Sequence, residues 1–370
     1  MIAALKRLYA DFRGFDETGS AVPMMDGPLK PNTALDAAPI ALRLPDIDNL
    51  VTTPTGLFAS QGQELIELVS QPVGTLTTDP ERTFSSSITC LASDGQGVLA
   101  VGLDGQGIQI QGGRHDGVEV METGGAVLRS PTAALFLNSD TLIVANGAAD
   151  GLAADWKRDL MNRRASGSIW RIALGGADRN ATQLARNLAF PYGLAAGAGD
   201  SLLVSEAWRH RVIAIDATAM KPPRSVLADL PAYPARILAS HDGGYWLALF
   251  APRNQLVEFV LREEGYRRKM VAGIDPAYWI APALSSGASF LEPIQGGARK
   301  KLNMLKPWSP SWSYGLVVRC DSTMRPIESF HSRADGTIHG VTSLAEFAGH
   351  LLVGAKGSGA FVSLVAWGVR

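Results

Sequence analysis

The 370-residue chain is poor in cysteine, with Cys90 and Cys320 as the only two. Two thiols cannot form a disulfide framework. They leave one bridge or two free buried thiols, and the second alternative is favoured. No apolar run reaches the length of a membrane span, and charged residues interrupt positions 1–13, where a signal-peptide core would lie. We therefore expect a cytoplasmic protein without a membrane span.

Neither sign of charge predominates, since 34 Lys and Arg residues face 35 Asp and Glu residues for a net charge of −1. Without a basic stripe to attract phosphates, nucleic acid is not an expected partner. Hydrophobic residues make up 46% of the chain and charged residues 19%, which excludes a disordered or fibrous class. The composition indicates a globular protein with a large core, and it leaves the oligomeric state open.

A repeated unit runs through the chain: a short apolar strand, a turn rich in Gly and Asp, and a further strand. Its copies begin at Leu57, Leu99, Leu142, Leu202, Tyr245 and Leu351. The intervals between these positions are 42, 43, 60, 43 and 106 residues, and three of them match the length of a four-stranded propeller blade. The repeat therefore predicts a propeller with six blades.

The two long intervals contain insertions, at about 147–167 and 251–313. The first places Leu152, Trp156 and Leu160 among helix formers, and the second begins with helical rather than alternating apolar spacing. Prolines in the longer interval argue against a seventh blade. Both insertions fall between the second and third strands of a blade. They are therefore predicted to cover the same mouth of the central channel and to enclose a small-molecule pocket there.

The sequence thus predicts an all-β fold, a six-bladed β-propeller with two helical insertions capping one face of the channel. Residues 1–37 are expected to form an N-terminal extension packed on the propeller, which itself comprises residues 38–370. The sixth blade has room for only three strands near the end of the chain. The segment 38–44 (APIALRL) is expected to supply its missing outer strand and to cover the exposed edge.

Five segments carry a resemblance to a known family: residues 22–36, 156–172, 190–215, 233–254 and 314–343. In this order they resemble the strictosidine synthase-like family, which is related to the gluconolactonase and paraoxonase propellers. The resemblance implies a six-bladed propeller with hydrolase-type chemistry on a small organic ester or lactone in the central channel. A fold does not fix a function, so the site residues must be matched one by one.

The resemblance also implies a channel calcium ion, held by acidic and Asn side chains where the first strands begin. The matching positions hold Ser87, Tyr192, and Ala235 followed by Arg236, so the expected ligands are absent. The position that matches the synthase Glu is Thr342. We therefore predict no metal site and no cofactor, with calcium only as what the resemblance implies, and we do not expect Pictet–Spengler synthase activity.

Two residues are predicted to be catalytic, His339 and Thr342, which both lie at the start of the last blade. A neutral His339 beside the cationic Arg236 could act as a base next to an anion holder. Alternatively, His339 is a polar residue whose hydrogen bonds are simply satisfied. No G-x-S-x-G motif is present, so a serine nucleophile has no support.

Substrate binding is assigned to four residues at the channel mouth: Tyr192, Arg236, Ser87 and Thr132. Tyr192 could equally plug a channel that has no metal. Asp46 and Asp48, ahead of the first blade, are further acidic residues that could enter the channel. Three functions stay open: a lactonase- or esterase-like hydrolase, a non-catalytic propeller that binds a small-molecule ligand, and a protein-interaction scaffold. The hydrolase is favoured, although no obvious group replaces the metal in activating water.

Overall fold

The computed structural model describes residues 22–71, 74–175, 180–286 and 312–365. Within these ranges, 24 strands form six four-stranded antiparallel sheets, and one short extra hairpin follows the second sheet. The first strands of the six sheets contact one another in a closed ring, from the first sheet round to the sixth and back. The predicted all-β, six-bladed propeller is confirmed.

Each blade runs outward from the channel in chain order. The first strands are β2 (Ile47–Thr52), β6 (Ile88–Ser93), β12 (Pro131–Asn138), β16 (Pro191–Ala196), β20 (Ala232–Ala239) and β24 (Val341–Phe347). The second strands are β3 (Leu57–Gln61), β7 (Leu99–Leu103), β13 (Thr141–Asn146), β17 (Ser201–Glu206), β21 (Tyr245–Pro252) and β25 (His350–Ala355). The second strands are the most apolar because both of their faces pack against neighbouring blades.

The third and outer strands complete the blades. The third strands are β4 (Glu64–Ser70), β8 (Gly107–Gln111), β14 (Gly167–Ala173), β18 (Arg211–Asp216), β22 (Gly315–Cys320) and β26 (Ala360–Val365). The outer strands are β5 (Leu76–Thr83), β9 (Glu119–Val120), β15 (Ala181–Leu188), β19 (Arg224–Leu227), β23 (Pro326–Ser332) and, for the sixth blade, β1 (Ile40–Arg43). The extra hairpin consists of β10 (Glu122–Thr123) and β11 (Ala126–Val127).

The ring is closed by a strand from the beginning of the chain. β1 pairs antiparallel with β26, so an early segment completes the last blade, as predicted for residues 38–44. The preceding residues lie against β23 of the fifth blade, where Asn32 donates to the Ser329 carbonyl (2.9 Å) and Asp36 accepts from the Ser332 hydroxyl (2.8 Å). The short helix Ala34–Ala37 buries Leu35 completely. Residues 1–21 of the predicted extension lie outside the described residues.

Both insertions cover one mouth of the channel. The first contains the 3₁₀ turn Ala153–Asp155 and the helix Trp156–Asn162, and the second contains the helices Gln255–Arg262 and Glu264–Gly273 and the 3₁₀ turn Pro276–Tyr278. They touch each other, because Arg163 donates to the Leu261 carbonyl (3.3 Å) and the Arg158 guanidinium lies 5.1 Å from the centre of the Trp279 ring. Residues 287–311 of the second predicted insertion lie outside the described residues.

Two further sequence expectations bear on the chain as a whole. Cys90 and Cys320 are both free and buried, which confirms the preferred alternative of two thiols. Among the residues that the structure describes, no helix combines the length and the apolar character needed to cross a membrane.

Candidate active site

The six first strands share a local irregularity that determines which side chains face the channel. Each one has a β-bulge near its start, where the pairing with the second strand skips one or two residues. A bulge releases a residue from the regular alternation and re-aims its side chain. The skipped positions include Asn49, Thr89, Thr132, Tyr192, Arg236 and Thr342. Four predicted site residues are therefore bulge residues, and the bulge residue of the second blade is Thr89, two positions after the predicted Ser87.

A cavity of about 280 Å³ lies at the covered mouth of the channel. Its floor is formed where the first strands begin and the second strands end, and the first insertion covers it with Ala153, Ala154 and Trp156. The second insertion contributes Leu284. The remaining lining residues are Asp48, Ser87, Ile88, Thr89, Asp104, Thr132, Phe190, Tyr192, Trp208, Phe250 and Lys356.

Aromatic rings make up one wall of this cavity. Phe190 stacks on Trp208 with 4.6 Å between ring centres, and the rings of Tyr192 and Trp156 meet Phe250 edge-on at 5.9 and 5.5 Å. Phe190 has a positive φ of 57°, a left-handed conformation that is costly for a bulky residue. The Trp208 indole donates to Asp159 of the covering helix (2.7 Å), so the wall and the cover are joined by a hydrogen bond.

Asp48 is the acidic centre of the channel. Asn49 has a left-handed backbone (φ 57°) at the bulge of β2, which asparagine tolerates better than most residues. Asp48 is only 3% exposed, accepts from the Thr342 hydroxyl at 2.7 Å, and lies 3.2 Å from the Lys356 ammonium. Burial raises the pKa of the Asp48 carboxyl, but Arg236, Lys356 and Thr342 outweigh it and bring this pKa down to about 2.

Arg236 crosses the channel from the fifth blade and contacts four other blades. Its guanidinium donates to Asp48 of the first blade (3.0 Å), to the Thr89 carbonyl of the second (2.6 Å) and to the Thr342 carbonyl of the sixth (3.1 Å). It also donates to the Asn49 side chain and lies 5.3 Å from the ring centre of Tyr192 in the fourth blade. Both terminal nitrogens of the predicted substrate-binding arginine thus donate to oxygens of the protein itself.

Lys356 and Asp104 supply the reactive polar groups of the cavity. The Asp48 charge raises the pKa of the Lys356 ammonium, so this side chain is a stable cation, and it is 40% exposed. Asp104 accepts from the backbone amides of Ala153 (2.7 Å) and Ala154 (3.1 Å) in the first insertion. Burial raises the pKa of the Asp104 carboxyl, which makes it a better proton acceptor than an exposed aspartate.

The predicted residues Ser87, Thr132 and Tyr192 line this cavity, and Thr342 and Arg236 lie directly below its floor. The Thr132 hydroxyl donates to the Pro191 carbonyl (2.5 Å), and Thr132 is 1% exposed. This hydrogen bond joins two neighbouring blades. The Ser87 side chain is exposed. Burial and the nearby Asp48 carboxylate raise the pKa of Tyr192, which keeps its phenol neutral.

His339 is not among the residues that line the cavity. One ring nitrogen pairs with the Ser313 hydroxyl (2.6 Å), the other with the Arg333 carbonyl (2.8 Å), and the residue is 6% exposed. The predicted pairing of His339 with Arg236 is not formed, because the guanidinium is directed at Asp48 and its neighbours. The placement agrees with the alternative of a histidine whose hydrogen bonds are satisfied.

Sequence reasoning missed Asp104 and Lys356, although the repeat contains the signal. Asp104, Phe250 and Lys356 all stand five residues after the first residue of a repeat copy, at Leu99, Tyr245 and Leu351. This position lies near the end of the second strand or directly after it, where the chain reaches the covered mouth. Aligning the repeats on it would have placed three lining side chains together.

The channel residues do not fit a calcium ion. Among the described residues, no three His, Cys, Asp or Glu side chains come together as metal ligands would. The Asp48 carboxylate is already matched by the cations of Arg236 and Lys356. A divalent ion beside these two cations would be repelled by both.

No family model matches the chain, and no curated protein matches it. Solved structures do match. A candidate gluconolactonase has a TM-score of 0.52 at 13% sequence identity, with 89% of this chain and 92% of that chain covered. A gluconolactonase from Xanthomonas campestris, important in glucose secondary metabolic pathways, has a TM-score of 0.51 at 14% identity, with 93% of this chain and 96% of that chain covered. At such identities the similarity establishes the fold, and this chain is a six-bladed β-propeller like those of the gluconolactonases.

Proposed function

We propose that this chain hydrolyses a small organic ester or lactone in the covered cavity, as a metal-independent member of the strictosidine synthase-like group of propellers. The observation that supports this function is the presence of a carboxylate and an ammonium group, Asp104 and Lys356, in the lining of one small cavity with aromatic walls. Its volume of about 280 Å³ lies just below the range of about 300–1,000 Å³ for sites that take drug-sized ligands, which favours a small substrate.

Asp104 and Lys356 have different roles in the proposed reaction. Asp104 takes a proton from a water molecule as the water oxygen forms a bond to the carbonyl carbon of the substrate. Lys356 stabilises the negative charge that develops on the carbonyl oxygen, because its ammonium is held as a cation by the nearby Asp48 carboxylate. The acyl carbon–oxygen bond then breaks, and the leaving alkoxide takes the proton back from Asp104. No oxidant, reductant or further reactant is needed.

A second function has its own support. Asp48, Arg236 and Thr342 are bound to one another, and the predicted base His339 lies outside the lining. A propeller that binds a small ligand without transforming it would need only the aromatic wall and the Lys356 cation. In that case the ligand would bind at the same cavity, and Asp104 would serve only to hold the first insertion through Ala153 and Ala154.

An assay of the parent protein and Asp104→Asn distinguishes the two functions. Both proteins are tested against a panel of small esters and lactones, with a chelator present throughout. We expect turnover by the parent protein and a fall in kcat of about a hundredfold or more in the variant, which is the usual contribution of a general base. The control is Asp150→Asn, since the Asp150 side chain is 75% exposed and pairs with Arg164 at the surface. Unchanged kcat in Asp104→Asn would contradict the role of Asp104 as base. Ligand binding without turnover by the parent would favour the binding function.

A further inference from the structure

Four oxygen atoms from three blades converge on the guanidinium of Arg236. Two belong to the side chains of Asp48 and Asn49, and two are the backbone carbonyl oxygens of Thr89 and Thr342. Carboxylate, side-chain amide and backbone carbonyl oxygens are the ligands that hard cations such as calcium take in proteins. The donor set is therefore that of a cation cage, although its occupant is a side chain of the protein.

The bulges explain why these oxygens converge. Asn49, Thr89 and Thr342 all lie at positions skipped in the pairing of first and second strands. A bulged residue leaves the regular ladder, which frees its backbone and side chain for other partners. Three blades thereby direct oxygens to one point of the channel, and the bulge between Pro234 and Ile237 directs Arg236 to the same point from the fifth blade.

We propose that the channel contains an oxygen cage for a cation and that Arg236 permanently fills it with its own guanidinium. The planar guanidinium, with five donors, can satisfy several acceptors around its rim at once. The Tyr192 ring covers it from the fourth blade at 5.3 Å. The cage thus joins five blades through one covalently attached cation, and the proposal does not depend on the hydrolysis proposed above.

The cage experiment compares the parent protein with Arg236→Ala in thermal unfolding. The parent should show no change in Tm with millimolar calcium or with a chelator, because Arg236 occupies the cage. Arg236→Ala should melt at a lower temperature, and low-millimolar guanidinium chloride or calcium chloride should raise its Tm by about 3 °C or more by binding only the folded state. Sodium chloride at equal ionic strength controls for screening.

Arg319→Ala is the matched control variant. Arg319 is also a buried arginine, at 5% exposure, but it pairs with Asp242 and the Gly243 carbonyl, outside the channel. Its removal should lower Tm without making the protein responsive to guanidinium or calcium. An equal response of the two variants, or no response of Arg236→Ala to either cation, would overturn the proposal.

A calorimetric titration of the parent with calcium keeps the proposal falsifiable if Arg236→Ala does not fold. Saturable binding of one calcium ion, with a rise in Tm that Asp48→Asn abolishes, would mean that the cage is open to metals and would overturn the proposal. Absence of binding heat supports it. Arg236→Lys adds a further measurement: it keeps the charge but lacks the planar fork, so we expect a Tm between those of the parent and of a variant without the cation.

Discussion

The two ends of the channel are built differently. At the covered end, insertions of 20 residues or more lie between second and third strands, and the cavity there has aromatic rings and the charged groups Asp104 and Lys356. At the opposite end, the hairpins between first and second strands have only two to five residues. The cavity there, about 430 Å³, is lined largely by aliphatic side chains such as Leu50, Leu194 and Leu344.

The layer around Arg236 separates these two ends. Arg236 lines the aliphatic cavity, while its partners Asp48 and Tyr192 line the covered one. The blades supply a rigid frame, the central layer and the charged groups Asp104 and Lys356, whereas the inserted chain supplies the cover of one end. Short hairpins contain too few residues to cover a cavity, so function is expected at the end where the loops are long.

The largest effect is expected from the central layer itself. In Asp48→Ala, the cations of Arg236 and Lys356 remain in the channel without their shared carboxylate. Breaking a buried ion pair by removing one partner costs about 3–5 kcal/mol in the free energy of unfolding. Urea unfolding at neutral pH measures this loss. The control is Asp150→Ala at the surface, where the pair with Arg164 is exposed and should contribute less than about 1 kcal/mol.

A smaller effect should follow acidification. The pKa of Asp48 is about 2 in the folded protein and 3.8 ordinarily, so this carboxylate stabilises the fold fully above about pH 4. Its contribution, about 2 kcal/mol for such a shift, is lost as the pH falls from 4 towards 2, because the unfolded chain binds the proton first. Urea unfolding between pH 5 and 2 should show a steeper loss in the parent than in Asp48→Asn. Equal slopes in the two proteins would contradict the proposed contribution of the Asp48 carboxylate to the free energy of unfolding.

The smallest effect on stability should come from the aromatic wall at the covered end. Trp208→Phe keeps an aromatic ring beside Phe190 but removes the hydrogen bond to Asp159 of the covering helix. We expect a loss of about 1–2 kcal/mol, together with weaker ligand binding or a higher KM. Glu346→Gln is the counterpart at the other end, where Glu346 accepts from Trp246 (2.8 Å) and His241 (2.8 Å). It should lower stability similarly and leave ligand binding unchanged. A change of KM in Glu346→Gln but not in Trp208→Phe would mean that the ligand binds at the opposite end of the channel, and it would contradict the assignment of the site to the covered end.

The site was predictable only in part. Tyr192, Arg236 and Thr342 were assigned to the channel through the positions that the family resemblance implies, and in the structure Tyr192 lines the covered cavity while Arg236 and Thr342 bind Asp48. The bulges, however, shift which residue of a strand faces the channel, and no local signal in the sequence marks Thr89 as the bulge residue of the second blade. His339 was assigned to the channel from its position at a strand start, but its partners Ser313 and Arg333 come from other segments and hold it outside the cavity lining.

The sequence by itself determined the propeller, its six blades, the covered end and the free thiols. Strand alternation, repeat length and the position of an insertion are all local properties of the chain, because each can be recognised from one blade or from two successive blades of the sequence. The tertiary structure alone decided the charge arrangement of the channel. Asp48 and Arg236 are 188 residues apart in sequence, and Asp48 and Lys356 are 308 apart. Only closure of the ring brings both cations within 3.2 Å of Asp48, so no local pattern could have predicted that the guanidinium binds this carboxylate.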